Sequence, residues 1–166
     1  MQFDEWRGLE RASDYLQRLR RKVGHDLLLL PSVTILAFDD SNRVLLLRHA
    51  NRDLWVAPGG MIEPNETPEQ AARREMQEET GCAVDLIRIL GVYGGPEFRV
   101  RYENGDEVAY VMTVFQARIR DGTPQPNGTE SLEVRFVAAA EIERLRSAAW
   151  LPIVIRDCFH QLQETN

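Results

Sequence analysis

The stretch TPEQAARREMQEETG, Thr67 to Gly81, carries helix signals at both of its ends and constrains the fold more than any other segment. Thr67 suits the N-cap, Pro68 the first helical position, Gln70 the return bond of a capping box, and Gly81 the residue that ends the helix. Short β-rich runs flank it on both sides. SVTILAF and RVLLLR, separated by DDSN, read as a pair of strands joined by a turn, and AVDLIRILGVYGG reads as a strand of alternating character. In FRVRYENGDEVAYVMTVFQARI the dipeptide Asn104-Gly105 lies between two β-rich runs and is the clearest hairpin signal. The turn-rich DGTPQPNGTES leads to LEVRFV, a last core strand, followed by helical segments around AAEIERLR and WLPIVIRDCFHQL. Interleaved helices and strands, with hairpins as well as longer crossovers, predict an α/β (α+β) fold: a mixed sheet covered by helices.

A chain of 166 residues, 43% hydrophobic and 28% charged, has enough apolar content for one globular domain with a real core. It carries 20 basic and 26 acidic residues, a net charge of −6. Such a chain has no global basic field for duplex nucleic acid, so binding any polyanion requires a local device. Cys82 and Cys158 match no metal or redox spacing and are read as free, buried thiols of a cytoplasmic protein. Neither a membrane span nor the apolar centre of a signal peptide is expected.

Residues 1–24 read as an amphipathic helix, with Phe3, Trp6, Leu9, Tyr15, Leu16, Leu19 and Val23 recurring at three and four. Its basic end, RLRRK, complements the helix dipole before Gly24. Two placements are open for this helix: against its own domain, residues 25–166, or across a homodimer.

The helix expected over 68–80 also crowds its anions. Glu75 and Glu79 are four apart and Glu75 and Glu78 three apart, so the three carboxylates share a face, where like charges repel by a few tenths of a kcal/mol per pair. An arginine- and glutamate-rich face is ordinarily solvated and laced with pairs such as Glu69–Arg73 and Arg74–Glu78. Oxygen ligands in such number are also what Mg²⁺ or Mn²⁺ selects, and a cation turns the repulsion into binding. The spacing favours the second reading. Gly60, Glu66, Arg74-Glu75, Met76, Glu78-Glu79, Gly81 and Cys82 reproduce the spacing of the signature of the Nudix hydrolases, and the chain resembles that family. LWVAPGG before the signature is similar to the family's usual entry strand. Met76 and Cys82 replace the commoner aliphatic residues, a departure that touches local packing only.

The resemblance implies a Nudix-type α/β/α sandwich with an added N-terminal helix, and Mg²⁺-dependent hydrolysis of a diphosphate linked to a nucleoside or similar group. It implies Glu75, Glu78 and Glu79 as metal ligands and catalytic groups, with the Gly59 carbonyl a further ligand. Glu66 and Arg74 would orient loop and carboxylates. Gly60 and Gly81 would be backbone devices, the first for a tight turn and the second closing the helix. The general base would be a helix glutamate or a late-loop carboxylate; Glu130, on the loop, is preferred to Glu133 in the strand. Arg48 and Arg52 are candidates for substrate phosphates. Trp55 is left in the core, and His25, His49 and His160 show no ligand spacing.

Outside the signature the sequence matches no subfamily pattern. Phe98 stands where the ADP-ribose class resembles a pattern with proline, and Pro96 falls two residues short of that position. By elimination the expected substrate is a nucleoside triphosphate, cleaved to monophosphate and pyrophosphate, with ADP-ribose or nucleotide sugars as the alternative. A nucleotide-sensing module without catalysis is the alternative of another class. Tyr93, Phe98, Tyr102 and Tyr110 lie where a base could stack, although strand aromatics are more often core. Because clustered carboxylates raise one another's pKa, activity is expected to rise towards alkaline pH.

Overall fold

The computed structural model describes residues 13–50 and 52–164. Phe3, Trp6 and Leu9 of the expected N-terminal stripe lie outside the described residues; within them the first helix, α1, spans Ser13–Val23. Eight strands follow: β1 Leu28–Ala37, β2 Val44–His49, β3 Leu54–Val56, β4 Gly59–Met61, β5 Ala83–Tyr93, β6 Arg99–Arg101, β7 Glu107–Asp121 and β8 Ser131–Val137. Helix α2, Pro68–Thr80, lies between β4 and β5, and α3, Ala139–Ile142, and α4, Leu151–Glu164, follow β8.

The strands form two sheets. One runs β4-β1-β7-β5 with β6 added beside β7, and is mixed: β1 is parallel to β7 while the other pairings are antiparallel. The other is antiparallel, in the order β3-β2-β8. The expected pairing of the first two long strands is therefore corrected. Both edges of β1 are engaged by β4 and β7, so β2 turns into the second sheet and meets β1 at the Phe38–Val44 bridge beside the turn.

Alternation along the strands divides the core into two layers. Val33, Ile35 and Ala37 pack with Leu45, Phe115, Val84 and the α2 residues Ala71, Ala72 and Met76. Leu36 and Val114 point the other way, to Leu46, Trp55, Ile142 and the α4 residues Leu151, Val154, Ile155 and Cys158. Helices thus cover both faces of the sheets, and Trp55 is in the core as expected. A smaller cluster, Leu16, Leu30, Met61 and Val108, seats α1 on the end of the larger sheet, with Leu19, Tyr102 and Tyr110 against it. Cys82 and Cys158 are both free and buried.

The Asn104-Gly105 hairpin forms between β6 and β7, with Arg101 opposite Glu107 and Gly105 at a φ of 88°. Among the described residues no helix is long and apolar enough to cross a membrane.

Candidate active site

Helix α2 has the predicted bounds. Thr67 accepts from the Gln70 N–H at 3.2 Å and its own N–H donates to the Gln70 side chain at 2.8 Å, completing the capping box. Gly81, at a φ of 72°, donates to the Gln77 carbonyl and ends the helix. Ala71, Ala72 and Met76 fix the helix on its apolar side, which turns Glu75 and Glu79 inward. The two carboxylate residues are only 9% and 8% exposed, so both are removed from most of the solvent that would stabilise their charge.

Arg74 organises one side of this cluster. Its Nε and Nη2 donate to the two oxygens of Glu66 at 2.8 and 2.9 Å, a bidentate fork. Nη1 reaches Glu75 Oε1 at 2.7 Å and, at 3.5 Å, Glu78 Oε2, while Nη2 also donates to the Met61 carbonyl. Glu66 in turn accepts from the Glu63 N–H, which ties the loop before α2 to the helix. The fork holds the Glu66 carboxyl below the ordinary carboxylate range. The Arg74–Glu78 pair forms, whereas Arg73 turns its guanidinium to the Glu69 carbonyl.

Glu79 is held differently. Its Oε2 accepts from the Gly59 N–H at 2.9 Å. A side chain on Gly59 would collide with the Val33 carbonyl, so β4 can lie this close to β1 only with glycine there. Gly60, expected to make a tight turn, lies within β4 instead, and its missing side chain leaves the space filled by the Glu75 carboxylate.

Burial is the first cause that raises the Glu75 carboxyl to about 7, against the pull of Arg74; Glu78 and Glu130 add repulsion. Glu79 is pushed well above the ordinary range by burial, then by Glu75 and Glu130, against its bond from Gly59. Among the described residues no group of three or more His, Cys, Asp or Glu side chains is gathered for a metal ion. Arg74 donates to Glu75 and the Gly59 N–H to Glu79 in this arrangement. What fits a divalent cation is the chemistry of the donor set: two buried carboxylates that repel each other, with Glu78 and Glu130 acting on both.

Glu130, the preferred candidate base, lines the cavity from the turn-rich loop before β8. Asn127 Oδ1 accepts the N–H groups of Thr129, Glu130 and Ser131 at 3.1, 2.8 and 3.1 Å, and its Nδ2 donates to the Glu78 carbonyl. Ser131 Oγ donates to the Glu79 carbonyl at 3.3 Å. The loop is thereby stapled to the last turn of α2. An asparagine followed by a glycine and polar residues was the available signal. Glu133, the weaker candidate base, sits in β8 between Arg48 and Arg135.

A cavity of about 400 Å³ opens beside Glu79, lined by that residue with Gly59, Gly60, Glu130, Arg52, Tyr102 and Tyr110 among others. The Arg52 guanidinium lies 4.5 Å over the Tyr102 ring, and the Tyr102 and Tyr110 hydroxyls are 2.7 Å apart. Of the two expected phosphate-binding arginines, Arg48 does not line the cavity. It is paired with Asp53 at 2.9 Å and with Glu133 at 3.5 Å. Tyr93 and Phe98 pack together as part of the core, with the Tyr93 hydroxyl on Cys158. His49, given no role from sequence, does line the cavity, and burial followed by the Arg52 charge lowers its pKa.

The model of the NUDIX domain matches residues 28–158, and the chain belongs to that family. It is 32% identical over 108 residues to a Bacillus subtilis (strain 168) protein named "Putative 8-oxo-dGTP diphosphatase", covering 65% of this chain and 66% of that one. It is 43% identical over 65 residues to an RNA pyrophosphohydrolase of Pseudomonas putida (strain GB-1), covering 39% of this chain and 41% of that one. The chain thus spans less than two thirds of the length of these curated relatives. Among solved structures, a UDP-X diphosphatase superposes with a TM-score of 0.70 at 23% identity, covering 93% of this chain and 72% of that chain, a likeness of fold.

Proposed function

We propose that this protein is a Mg²⁺-dependent hydrolase that cleaves the diphosphate linkage of a nucleoside diphosphate derivative, a nucleoside triphosphate first, releasing monophosphate and pyrophosphate. The observation that carries the reading is the pair of buried, mutually repelling carboxylates, Glu75 and Glu79, the second of which lines a cavity together with Arg52, Tyr102 and Tyr110. A polyanionic substrate enters such a site only together with cations.

Glu75, Glu78 and Glu79 would hold Mg²⁺ or Mn²⁺, with the Gly59 carbonyl as a further ligand. Bound there, the cation supplies positive charge to the phosphoryl oxygens and acidifies water. The chain's own residues do the rest. Glu66 fixes Arg74, and Arg74 holds Glu75 and the entry loop in place. Glu130, on its stapled loop, takes the proton of the attacking water; an O–P bond forms, an anhydride P–O bond breaks, and the phosphate leaving group needs little protonation. Arg52 offers its guanidinium to phosphate, and Tyr102 and Tyr110 offer ring faces or hydroxyls to the nucleoside.

The relative named an 8-oxo-dGTP diphosphatase supports a nucleoside triphosphate, and the one named an RNA pyrophosphohydrolase supports the reaction class. ADP-ribose and nucleotide sugars are the second reading, and a cavity of about 400 Å³ admits either class. We place the protein in the cytoplasm on its two free thiols. Residues 25–166 act as the catalytic unit and the N-terminal helix as an accessory to it. The packing of Leu16 against Leu30 and Met61 supports a seat on the same chain over a homodimer contact.

The deciding experiment measures phosphate and pyrophosphate release from nucleoside triphosphates, oxidised nucleotides, 5′-triphosphorylated RNA, ADP-ribose, nucleotide sugars and dinucleoside polyphosphates, with Mg²⁺ and with EDTA. Mg²⁺-dependent release that is lost in Glu79→Gln is expected. Binding without cleavage of any of them overturns the hydrolase reading in favour of a sensing module.

A further inference from the structure

Arg20 of α1 is a buried arginine outside the matched family residues, only 8% exposed and far in sequence from the signature. Burying a guanidinium is costly unless its donors are met. Here Nη1 donates to the carbonyls of Gly24 and Asp26 at 3.1 and 2.7 Å, and Nη2 to the carbonyl of Glu107 at 2.9 Å. Nε faces Asp106 Oδ2 at 3.4 Å as an ion pair without hydrogen-bond alignment. Asp106, 5% exposed, is the other half of a buried charge pair.

Asp106 belongs to the turn that forms one wall of the cavity. Its Oδ2 accepts from Asn104 Nδ2 at 3.1 Å, its N–H donates to Asn104 Oδ1, and its Oδ1 meets His25 Nδ1 at 2.7 Å. Its carbonyl accepts from the Tyr102 N–H, and the Tyr102 carbonyl accepts from the Gly105 N–H, both at 2.9 Å. Tyr102, Glu103 and Asn104 all line the cavity. The tyrosine rings also rest on the Leu16–Leu30–Met61–Val108 cluster, so α1 supports the same wall twice, once by apolar packing and once by charge. Packing alone would seat a helix. A fork that reaches three carbonyls and faces a carboxylate also fixes where the turn sits.

We propose that Arg20 is a positioning residue for the Tyr102 wall of the cavity, acting through Asp106 on the turn that carries Tyr102. The kinetic side of this inference rests on the hydrolase reading; the structural side does not.

The test compares Arg20→Ala, Arg20→Lys and Asp106→Asn with the parent by amide hydrogen exchange and by steady-state kinetics on the best substrate with Mg²⁺. In Arg20→Ala the Tyr102 and Gly105 amides lose protection while the Ala71 amide of α2 and the Gly81 amide of its cap keep theirs. KM rises about tenfold with kcat within about twofold, the signature of lost binding rather than lost chemistry. Lysine, a point charge without the fork, gives an intermediate KM, and Arg20→Ala adds nothing to KM in a Tyr102→Ala background. Unchanged exchange at Tyr102 and Gly105, a uniform loss across the domain, or KM effects that multiply in the double variant overturns the inference. Should Arg20→Ala fail to fold, Asp106→Asn, which keeps the shape and removes the charge, is read in the same way. If the parent cleaves nothing, the hydrolase reading fails and the exchange measurement still decides the role of Arg20.

Discussion

A Cβ on Gly60 would lie 2.3 Å from Oε1 of Glu75 and 2.7 Å from its carboxyl carbon, so β4 and α2 meet here with no room for a side chain. The neighbour that would have to move is the end of a flexible side chain. Gly60→Ala is therefore expected to swing the Glu75 carboxylate off Arg74 while leaving the fold intact. A fall in kcat of about a hundredfold with a nearly unchanged melting temperature is the expected result. A large loss of stability at full activity would mean that Gly60 serves the strand and not the carboxylate.

Glu79→Gln keeps an acceptor for the Gly59 N–H and removes a buried charge. The variant should lose about a thousandfold or more in kcat with Mg²⁺. In EDTA at alkaline pH it should be more stable than the parent by about 1–2 kcal/mol, because the buried carboxylate is costly when nothing pairs with it. Thermal melts with and without Mg²⁺ read both effects.

The sign of the pH dependence follows from Glu75, whose carboxyl rises from 4.5 to about 7 on folding. Between those values the folded chain binds more protons than the unfolded one. Its contribution to stability is thus full below pH 4.5 and is lost as pH rises through about 7. Glu79, also raised, acts in the same direction. In EDTA the melting temperature should fall over this interval. The stabilisation by Mg²⁺ should grow over it, as should activity, because the cation competes with the proton. Activity that peaks at acid pH and is indifferent to EDTA would contradict the carboxylate pair as a cation site.

Asn127 joins the late loop to the end of α2 through Thr129, Glu130, Ser131 and Glu78. Asn127→Ala should cost about 1–2 kcal/mol of stability for the lost bonds. It should also lower kcat by about tenfold as Glu130 loses its place. Combined with Glu130→Gln it should slow the reaction no further than Glu130→Gln alone; independent, multiplying losses would separate the loop from the base.

Arg48 and Arg52 are four residues apart and should behave differently. Arg48 is occupied by Asp53 and Glu133, whereas Arg52 lines the cavity over Tyr102. Arg48→Ala should leave KM within about twofold and Arg52→Ala should raise it about tenfold. KM values in the opposite order would move the phosphate site towards β2.

Much of the site was legible because it depends on short-range chemistry. Thr67, Gln70 and Gly81 bound α2 through hydrogen bonds to backbone three or four residues away, and the helical repeat alone places Glu75, Glu78 and Glu79 on one side. Other features gave no local signal. The separation of β1 from β2 follows from β4 and β7 engaging both edges of β1, and β7 is distant in sequence. Arg48 and Arg52 look alike in the sequence, and only the positions of Asp53, Glu133 and Tyr102 distinguish them.

The sequence by itself determined the capped helix, its row of glutamates, the hairpin at Asn104-Gly105 and the apolar runs that become the central strands. These rest on periodicity and on bonds within one turn. Only the tertiary structure decided that Gly60 yields its space to Glu75, that Asn127 brings Glu130 to the helix, and that Arg20 crosses to Asp106. Those contacts join segments that share no hydrogen-bond ladder or repeat. They form only once the sheets have set the distances between them.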